Sequence, residues 1–523
     1  MQAAAPTPTP PPPLSGRTLA VATVSLSLAT FMNVLDTTIA NVSIPAISGD
    51  VGVSPSQGTW VITSFAVANA ISMPLTGWLT QRFGQVRLFV GSVLLFVLAS
   101  LLCGLSSSLE MLIAFRVLQG LVAGPMIPLS QALLLQSFPR ARAGAALAAW
   151  SMTTLIAPVL GPILGGWISD NMSWPWIFYI NVPAGLLAGL VTWRIFRHRE
   201  SPIRKLPIDV VGLGLLVLWV GALQVMLEKG KELDWFASGQ IVALGVTAVV
   251  GFCFFLIWEL GEKHPIVDLS LFKRRNFSTG VVAIALGYGM FFGSVVLMPL
   301  WLQQYLGYTA TWAGLVTAPI GIFAMILSPV VGKTLHKTDP RLYASAAFIL
   351  FAVVNFMRSE FTLGVGPWQL VLPQLIQGAA VAAFFIPLTS LTLSGLSPDR
   401  IPAASGLSNF LRMVAAAVGA SVSTTTWENR ASMHHAQLAE HVNAYEPAAR
   451  SYLDSLMSLG MSRDAALAQI ERQLNAQAYM LSANEYFWLS GLLLLGLAAL
   501  IWLAKPQRQL AGGGGAAAMD AGH

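Results

Sequence analysis

Long apolar runs separated by short polar breaks set the pattern of this chain. A helix needs about 20 mainly apolar residues to cross a bilayer. Runs of that kind predict fourteen helices, at about 18–40, 57–79, 87–106, 110–136, 143–168, 176–196, 209–227, 239–260, 277–301, 311–332, 342–361, 367–393, 402–427 and 485–504. Residues 1–17, rich in Pro, Ala and Thr, and 505–523 read as disordered tails. Residues 428–484 are too long for an ordinary loop. Their patterning predicts one helix with Tyr452, Leu453, Leu456, Met457 and Leu459 on a face. A second is capped by Ser462 and carries Ala465, Leu467, Ile470 and Leu474.

Composition agrees with the runs. The chain has 523 residues, 55% hydrophobic and only 10% charged, with mean hydropathy +0.67. A soluble domain carries about 25% charge, so this is an all-α, multi-pass membrane protein. The net charge of +6 suggests nucleic acid until its distribution is read. With the N-terminus in the cytoplasm, twenty Lys and Arg fall on cytoplasmic segments and seven, including Arg358, on the opposite side. That asymmetry predicts both termini inside and an even helix count. The N-terminus lacks the basic start and small-residue cleavage site of a secretory signal peptide. Cys103 and Cys253 both fall in apolar runs, which excludes a disulfide framework or a CxxC metal pattern.

The chain repeats itself. Gln119-Gly120 returns as Gln377-Gly378, Ile127-Pro128-Leu129 as Ile386-Pro387-Leu388, and Thr59-Trp60 as Thr311-Trp312, at offsets of 258, 259 and 252 residues. Gly77-Trp78-Leu79 has a weaker echo in Gly332-Lys333-Thr334. Helices 2 and 10, and 4 and 12, are therefore equivalent. The chain divides into a six-helix half at 18–196, two inserted helices at 209–260 and a second half at 277–504 that includes 428–484. Two parallel six-helix repeats are the layout of major facilitator transporters.

Three charges lie inside predicted helices: Asp36, Arg116 and Arg412. Glu259 lies near a helix end, within reach of the interface. A charge at membrane depth costs about 2.5–3.5 kcal/mol on insertion scales, so each needs a use. Asp36 has two readings. It is either a structural ion pair with Arg116 or a reversible proton site, since burial raises and a guanidinium lowers a carboxylate's proton affinity. Arg116 cannot give up a proton, so its part is electrostatic. Arg412 either holds helix 13 or attracts anions. A substrate site is expected at the midplane between the halves, lined by helices 1, 4, 9 and 12. The candidates are Asn33, Thr37, Gln119, Gln131, Tyr288, Met290, Phe291, Gln377 and Phe385. Aromatic and Met side chains there suit varied apolar substrates.

Several strings resemble a known family. Gly77-Trp78-Leu79-Thr80-Gln81-Arg82-Phe83-Gly84-Gln85-Val86-Arg87 resembles the loop signature between helices 2 and 3 of major facilitator transporters, with Arg82 and Gly84 as gating residues. Gln81 stands where the family usually has Asp. Arg116-Val117-Leu118-Gln119-Gly120 resembles the family's helix-4 motif. Ala157-Pro158-Val159-Leu160-Gly161-Pro162-Ile163-Leu164-Gly165-Gly166 resembles the antiporter motif, in which Pro158 and Pro162 bend the helix and Gly161 and Gly165 make a close-packing face. Leu35-Asp36-Thr37-Thr38-Ile39-Ala40-Asn41 and Trp174-Pro175-Trp176-Ile177-Phe178-Tyr179-Ile180-Asn181 resemble signatures of the fourteen-helix drug:proton antiporters. Similarity to that group runs from Leu19 to Pro506.

The resemblance implies a major facilitator fold and proton-driven export of hydrophobic toxic compounds through a bacterial inner membrane. It also implies a tripartite assembly with a periplasmic adaptor and an outer-membrane channel of the TolC type. A dedicated transporter of one metabolite is the alternative. No H-E-x-x-H, G-x-S-x-G, paired intramembrane acids or nucleotide-binding loop is present, so neither an enzyme nor a cofactor is expected. His434, His435 and His441 have poor spacing for a metal and read as surface. The segment 428–484 covers the outer mouth or docks the adaptor.

Overall fold

The computed structural model describes residues 12–139, 142–204, 207–443 and 445–506. The tails expected at 1–17 and 505–523 lie outside these residues except at 12–17 and 505–506. Among the described residues there is no strand. Twelve helices are long and apolar enough to cross a membrane, and two bent pairs bring the number to fourteen.

In the first half these are α1 (Gly16–Val51), α2 (Trp60–Ser72 and Thr76–Phe83, bent by 64°), α3 (Gln85–Gly104), α4 (Leu109–Ser137), α5 (Ala143–Asn171) and α6 (Trp176–Phe196). The inserted pair is α7 (Val210–Lys229) and α8 (Gly239–Gly261). The second half holds α9 (Arg275–Tyr305), α10 (Trp312–Thr334), α11 (Pro340–Ser359), α12 (Pro367–Thr392), α13 (Ile401–Ala439) and α14 (Arg463–Leu500). Pro74 sits in the break of α2, where its missing N–H interrupts the ladder. In α5 the axis turns by 42° between Ala143–Pro158 and Ile163–Ser169. Pro162 lies in that bend, with its side chain outside the described set.

The segment 428–484 is mostly helical. Ser462 does cap a helix, with its Oγ accepting from Ala465 N at 3.3 Å. That helix does not stop, however, but runs on as α14 through Leu500. At 1.5 Å per residue, the 39 residues of α13 and 38 of α14 are each nearly 60 Å long, about twice the hydrocarbon thickness. Both therefore project from the membrane, joined through the short helix Pro447–Ser458.

Packing defines the repeat more sharply than residue identity. A Cβ on Gly120 would come within 2.5 Å of Phe65 O, 2.8 Å of Ala68 Cβ and 3.1 Å of Asn69 N. On Gly378 it would come within 2.7 Å of Ile320 O, 2.8 Å of Phe323 Cβ and 3.1 Å of Ala324 N. The two triplets correspond at an offset of 255. The Thr59-Trp60 match at 252 is therefore out of register, while the weak echo of Gly77 in Gly332 is true. Helices this close need glycine because only a bare Cα lets backbones approach.

Large apolar clusters fill each half separately: Met32, Phe89, Phe96 and Met126 in the first, Phe348, Phe351, Phe384 and Leu391 in the second. The halves meet at the end carrying Arg82 and Lys333. There Gly332 O would lie 2.4 Å from a Cβ on Gly144, and Ala403 Cβ 2.6 Å from one on Gly77. The helices α7 and α8 pack on each other and join α2 and α13 through Trp219, Val220, Ile71 and Phe410.

Candidate proton and substrate sites

Asp36 lies in the middle of α1 and is fully buried, as is Arg116 of α4. Arg116 Nη1 donates to Asp36 Oδ2 at 2.5 Å. Gln119 Nε2 donates to Asp36 Oδ1 at 3.1 Å, and Asn181 Nδ2 of α6 to the same oxygen at 2.9 Å. Both amides also reach Ser100 Oγ of α3, at 2.7 and 3.2 Å. Arg116 Nε donates to Val61 O at 3.0 Å and Nη1 to Gln119 Oε1 at 2.7 Å. The guanidinium faces the rings of Phe65 at 4.2 Å and Phe178 at 5.5 Å. Its Nη2 has no hydrogen-bond partner.

The Asp36 carboxylate thus accepts from three donors, set among α1, α2, α3, α4 and α6. A buried ion pair is costly to break from one side, at about 3–5 kcal/mol. Neutralising Asp36 with a proton removes that attraction without removing an atom. The antiporter-motif helix reaches this place directly. A Cβ on Gly161 would lie 2.0 Å from Thr38 Oγ1, and one on Gly165 2.7 Å from Ile39 O. Both contacts fall within one turn of Asp36. Pro158 is exposed.

The second half carries a related cluster with its charge moved. At the offset of 258 found for helices 4 and 12, Arg116 and Gln119 correspond to Gln374 and Gln377. The Arg358 guanidinium donates to Gln374 Oε1 at 2.7 Å and to Gln377 Oε1. Phe487 lies 5.7 Å from it. No carboxylate forms an ion pair with it among the described residues. The sequence reading assigned Arg358 to an outer segment. It is instead buried in the last turn of α11, because an Arg at the end of an apolar run can turn inward as well as out. Glu259, near the end of α8, is buried against the following loop, with Oε2 accepting from Val267 N at 3.4 Å.

Gln131 of α4, Trp150 of α5, Thr389 and Thr392 of α12, and Ser405, Asn409 and Arg412 of α13 line a small cavity between the halves. Trp150, Tyr288 and Phe385 surround the Arg412 guanidinium at 5.8, 5.3 and 5.6 Å. The structure therefore brings Gln131, Tyr288 and Phe385 together around Arg412. Met290 and Phe291 pack on the second-half cluster. Asn33 donates to Ala123 O at 3.0 Å inside the first half, and Thr37 to Val34 O at 2.6 Å on its own helix. Gln119 and Gln377 belong to the two charge clusters.

At the loop signature, Arg82 is half-buried in the last turn of α2. Gly84 has φ of +86° and allows no side chain, since a Cβ would lie 2.5 Å from Glu200 Cδ. The Glu200 carboxylate accepts from Val86 N and Arg87 N, both at 2.9 Å, and so caps α3. An acid thus does reach this turn, from beyond α6 rather than from position 81.

Sequence reasoning missed Ser100, Asn181, Trp150, Glu200 and Arg358 as members of these sites. Asn181 offered a signal, as an amide in an apolar helix. Among the described residues no group of three His, Cys, Asp or Glu could hold a metal.

Two related six-helix halves with an inserted helix pair, a buried ion pair in the first half and a cavity between the halves define a multi-pass membrane transporter of small molecules. The chain belongs to the Major Facilitator Superfamily, whose family model matches residues 26–420. It is 55% identical over 96% of its length, and 99% of the relative's, to the multidrug export protein EmrB of Escherichia coli K12. It is 50% identical to the fatty acid resistance protein FarB of Neisseria gonorrhoeae, over 96% and 99% of the two chains. The fold is shared with the proton:xylose symporter XylE, with a TM-score of 0.56 and 14% identity over 92% and 95% of the chains.

Proposed function

We propose that this protein is a proton-driven multidrug antiporter of a bacterial inner membrane that exports hydrophobic toxic compounds. One observation carries the reading: the ion-paired, fully buried Asp36, one turn from the contact with the antiporter-motif helix. The likeness to EmrB supports it. A proton arriving from outside neutralises Asp36, releases Arg116 and Gln119, and lets α1 shift on the Gly161–Gly165 face. Re-ionisation on the inside restores the pair. The excess of basic residues on one set of loops supports cytoplasmic termini. The end with Arg82 and Lys333, where the halves meet, is then cytoplasmic.

The extended α13 and α14 project on the outer side. With the connection between them they expose Tyr445, Leu459 and Leu467 to an EmrA-like periplasmic adaptor, which links the transporter to a TolC-like outer-membrane channel. Removal of residues 436–474 reduces co-purification of the adaptor, and unchanged co-purification overturns this docking. The likeness to FarB favours a narrower, single-class exporter as the second reading.

The test is transport in proteoliposomes with an imposed pH gradient. Wild type moves an uncoupler-like or other hydrophobic substrate against its gradient. Asp36→Asn does not couple that movement to protons. A variant that still concentrates substrate with the normal dependence on the gradient refutes the mechanism.

A further inference from the structure

The cavity between the halves is lined by a cation, Arg412, that no described carboxylate neutralises. It is the sole charged lining residue, and no Asp or Glu lines the cavity among the described residues. Among these residues Arg412 has no ion pair, and its buried Nε has no hydrogen-bond partner. Ser405, two turns earlier on α13 and also lining the cavity, is 1% exposed, with its Oγ likewise unpartnered. Two buried donors thus open on one space without acceptors. A buried donor without an acceptor is expensive, and an unpaired buried cation more so. The three rings around the guanidinium offset part of that cost through their negative faces. They also furnish flat apolar walls, one from the first half and two from the second.

We infer that Arg412 and Ser405 form the head-group site for an organic carboxylate whose flat apolar body lies against Trp150, Tyr288 and Phe385. This rests on the reading of the central cavity as the substrate path and narrows its substrates to amphipathic anions. A guanidinium matches a carboxylate with two parallel N–H donors, and such charged bonds are the strong ones. No described residue accepts from the Arg412 guanidinium, so its N–H groups and the Ser405 hydroxyl are the donors left for it. In this conformation the cavity measures only about 10 Å³, room for roughly one water. Substrate therefore enters when the halves separate, and the rings close on the guanidinium once it has left. The proton site and the head-group site are distinct. Asp36 and Arg116 are enclosed within the first half, and Arg412 belongs to the second.

The experiment uses the purified full-length protein and two probes of the same shape, 2-naphthoate and 2-naphthamide, with affinities measured by calorimetry. Wild type binds the carboxylate at least about tenfold more tightly than the amide. Arg412→Gln abolishes that preference and leaves the amide's affinity unchanged, while Arg412→Lys keeps part of it. Ser405→Ala reduces the carboxylate's affinity alone. Absence of a preference in wild type, persistence of it in Arg412→Gln, or equal weakening of both probes overturns the site. Preferential binding in a protein that exports nothing under a pH gradient would sustain the site and refute the export reading.

Discussion

Asn181 of α6 donates its amide to the same Asp36 oxygen that Gln119 of α4 reaches, so two uncharged side chains share the work of holding the acid. The carboxylate of α1 is therefore held by donors from two further helices, α4 and α6. Motion of any of the three helices is felt at the acid.

Substituting Asn181 by Leu leaves Asp36 and Ser100 each short of one donor in a dry interior. The expected cost is about 1–3 kcal/mol of stability, with slower proton-driven export. Thermal unfolding in detergent and proteoliposome transport measure the two effects. An Asn181→Leu protein with wild-type transport would show that the third donor is idle.

Gly161→Ala puts a methyl into Thr38 Oγ1 and beside Ile39 N, 3.2 Å away. Overpacking of this kind costs about 1–3 kcal/mol. Here it also pushes α5 from the turn that bears the acid. Transport falls more than expression does. Gly166→Ala, which meets only Val42 at 3.9 Å, is the control and retains activity.

Cysteines at Gly77 and Ala403 test whether the halves close at this end. With the exposed Cys253 replaced by Ser, a Gly77→Cys, Ala403→Cys protein cross-links on mild oxidation and stops transporting, and reduction restores it. A pair that never cross-links contradicts the contact.

Asp339 precedes α11 and caps it, accepting from Arg341 N at 3.0 Å and from the Arg341 guanidinium at 2.7 Å. Burial works to raise its proton affinity, but the bonds and charge of Arg341 outweigh it and hold the carboxyl below its usual range. Its contribution to stability is therefore complete above about pH 4, the unfolded value, and disappears as pH falls through the lower folded value. Asp339→Ala costs about 1 kcal/mol at pH 7. The gap between the two unfolding temperatures shrinks on acidification below 4. A gap independent of pH would mean that the charge is not involved.

The fourteen spans and the charges Asp36, Arg116 and Arg412 were legible in the sequence. A bilayer demands about 20 apolar residues wherever the helix packs, and a charge inside such a run stands out without any neighbour. The bend of α5 was legible for a similar reason, since a proline acts on its own helix, whereas the contact of Gly161 and Gly165 with α1 was not. Asn181 and Ser100 are neutral and ordinary in isolation, and only the meeting of α3 and α6 with α1 makes them ligands of the acid. Arg358 and Glu259 sit near helix ends, where sequence cannot tell inward from outward. The partners of Arg412, the capping of α3 by Glu200 and the 255-residue register of α2 against α10 depend on helix rotation and approach. Those are set by side-chain packing across long separations in the chain, which hydropathy along one strand of sequence does not record.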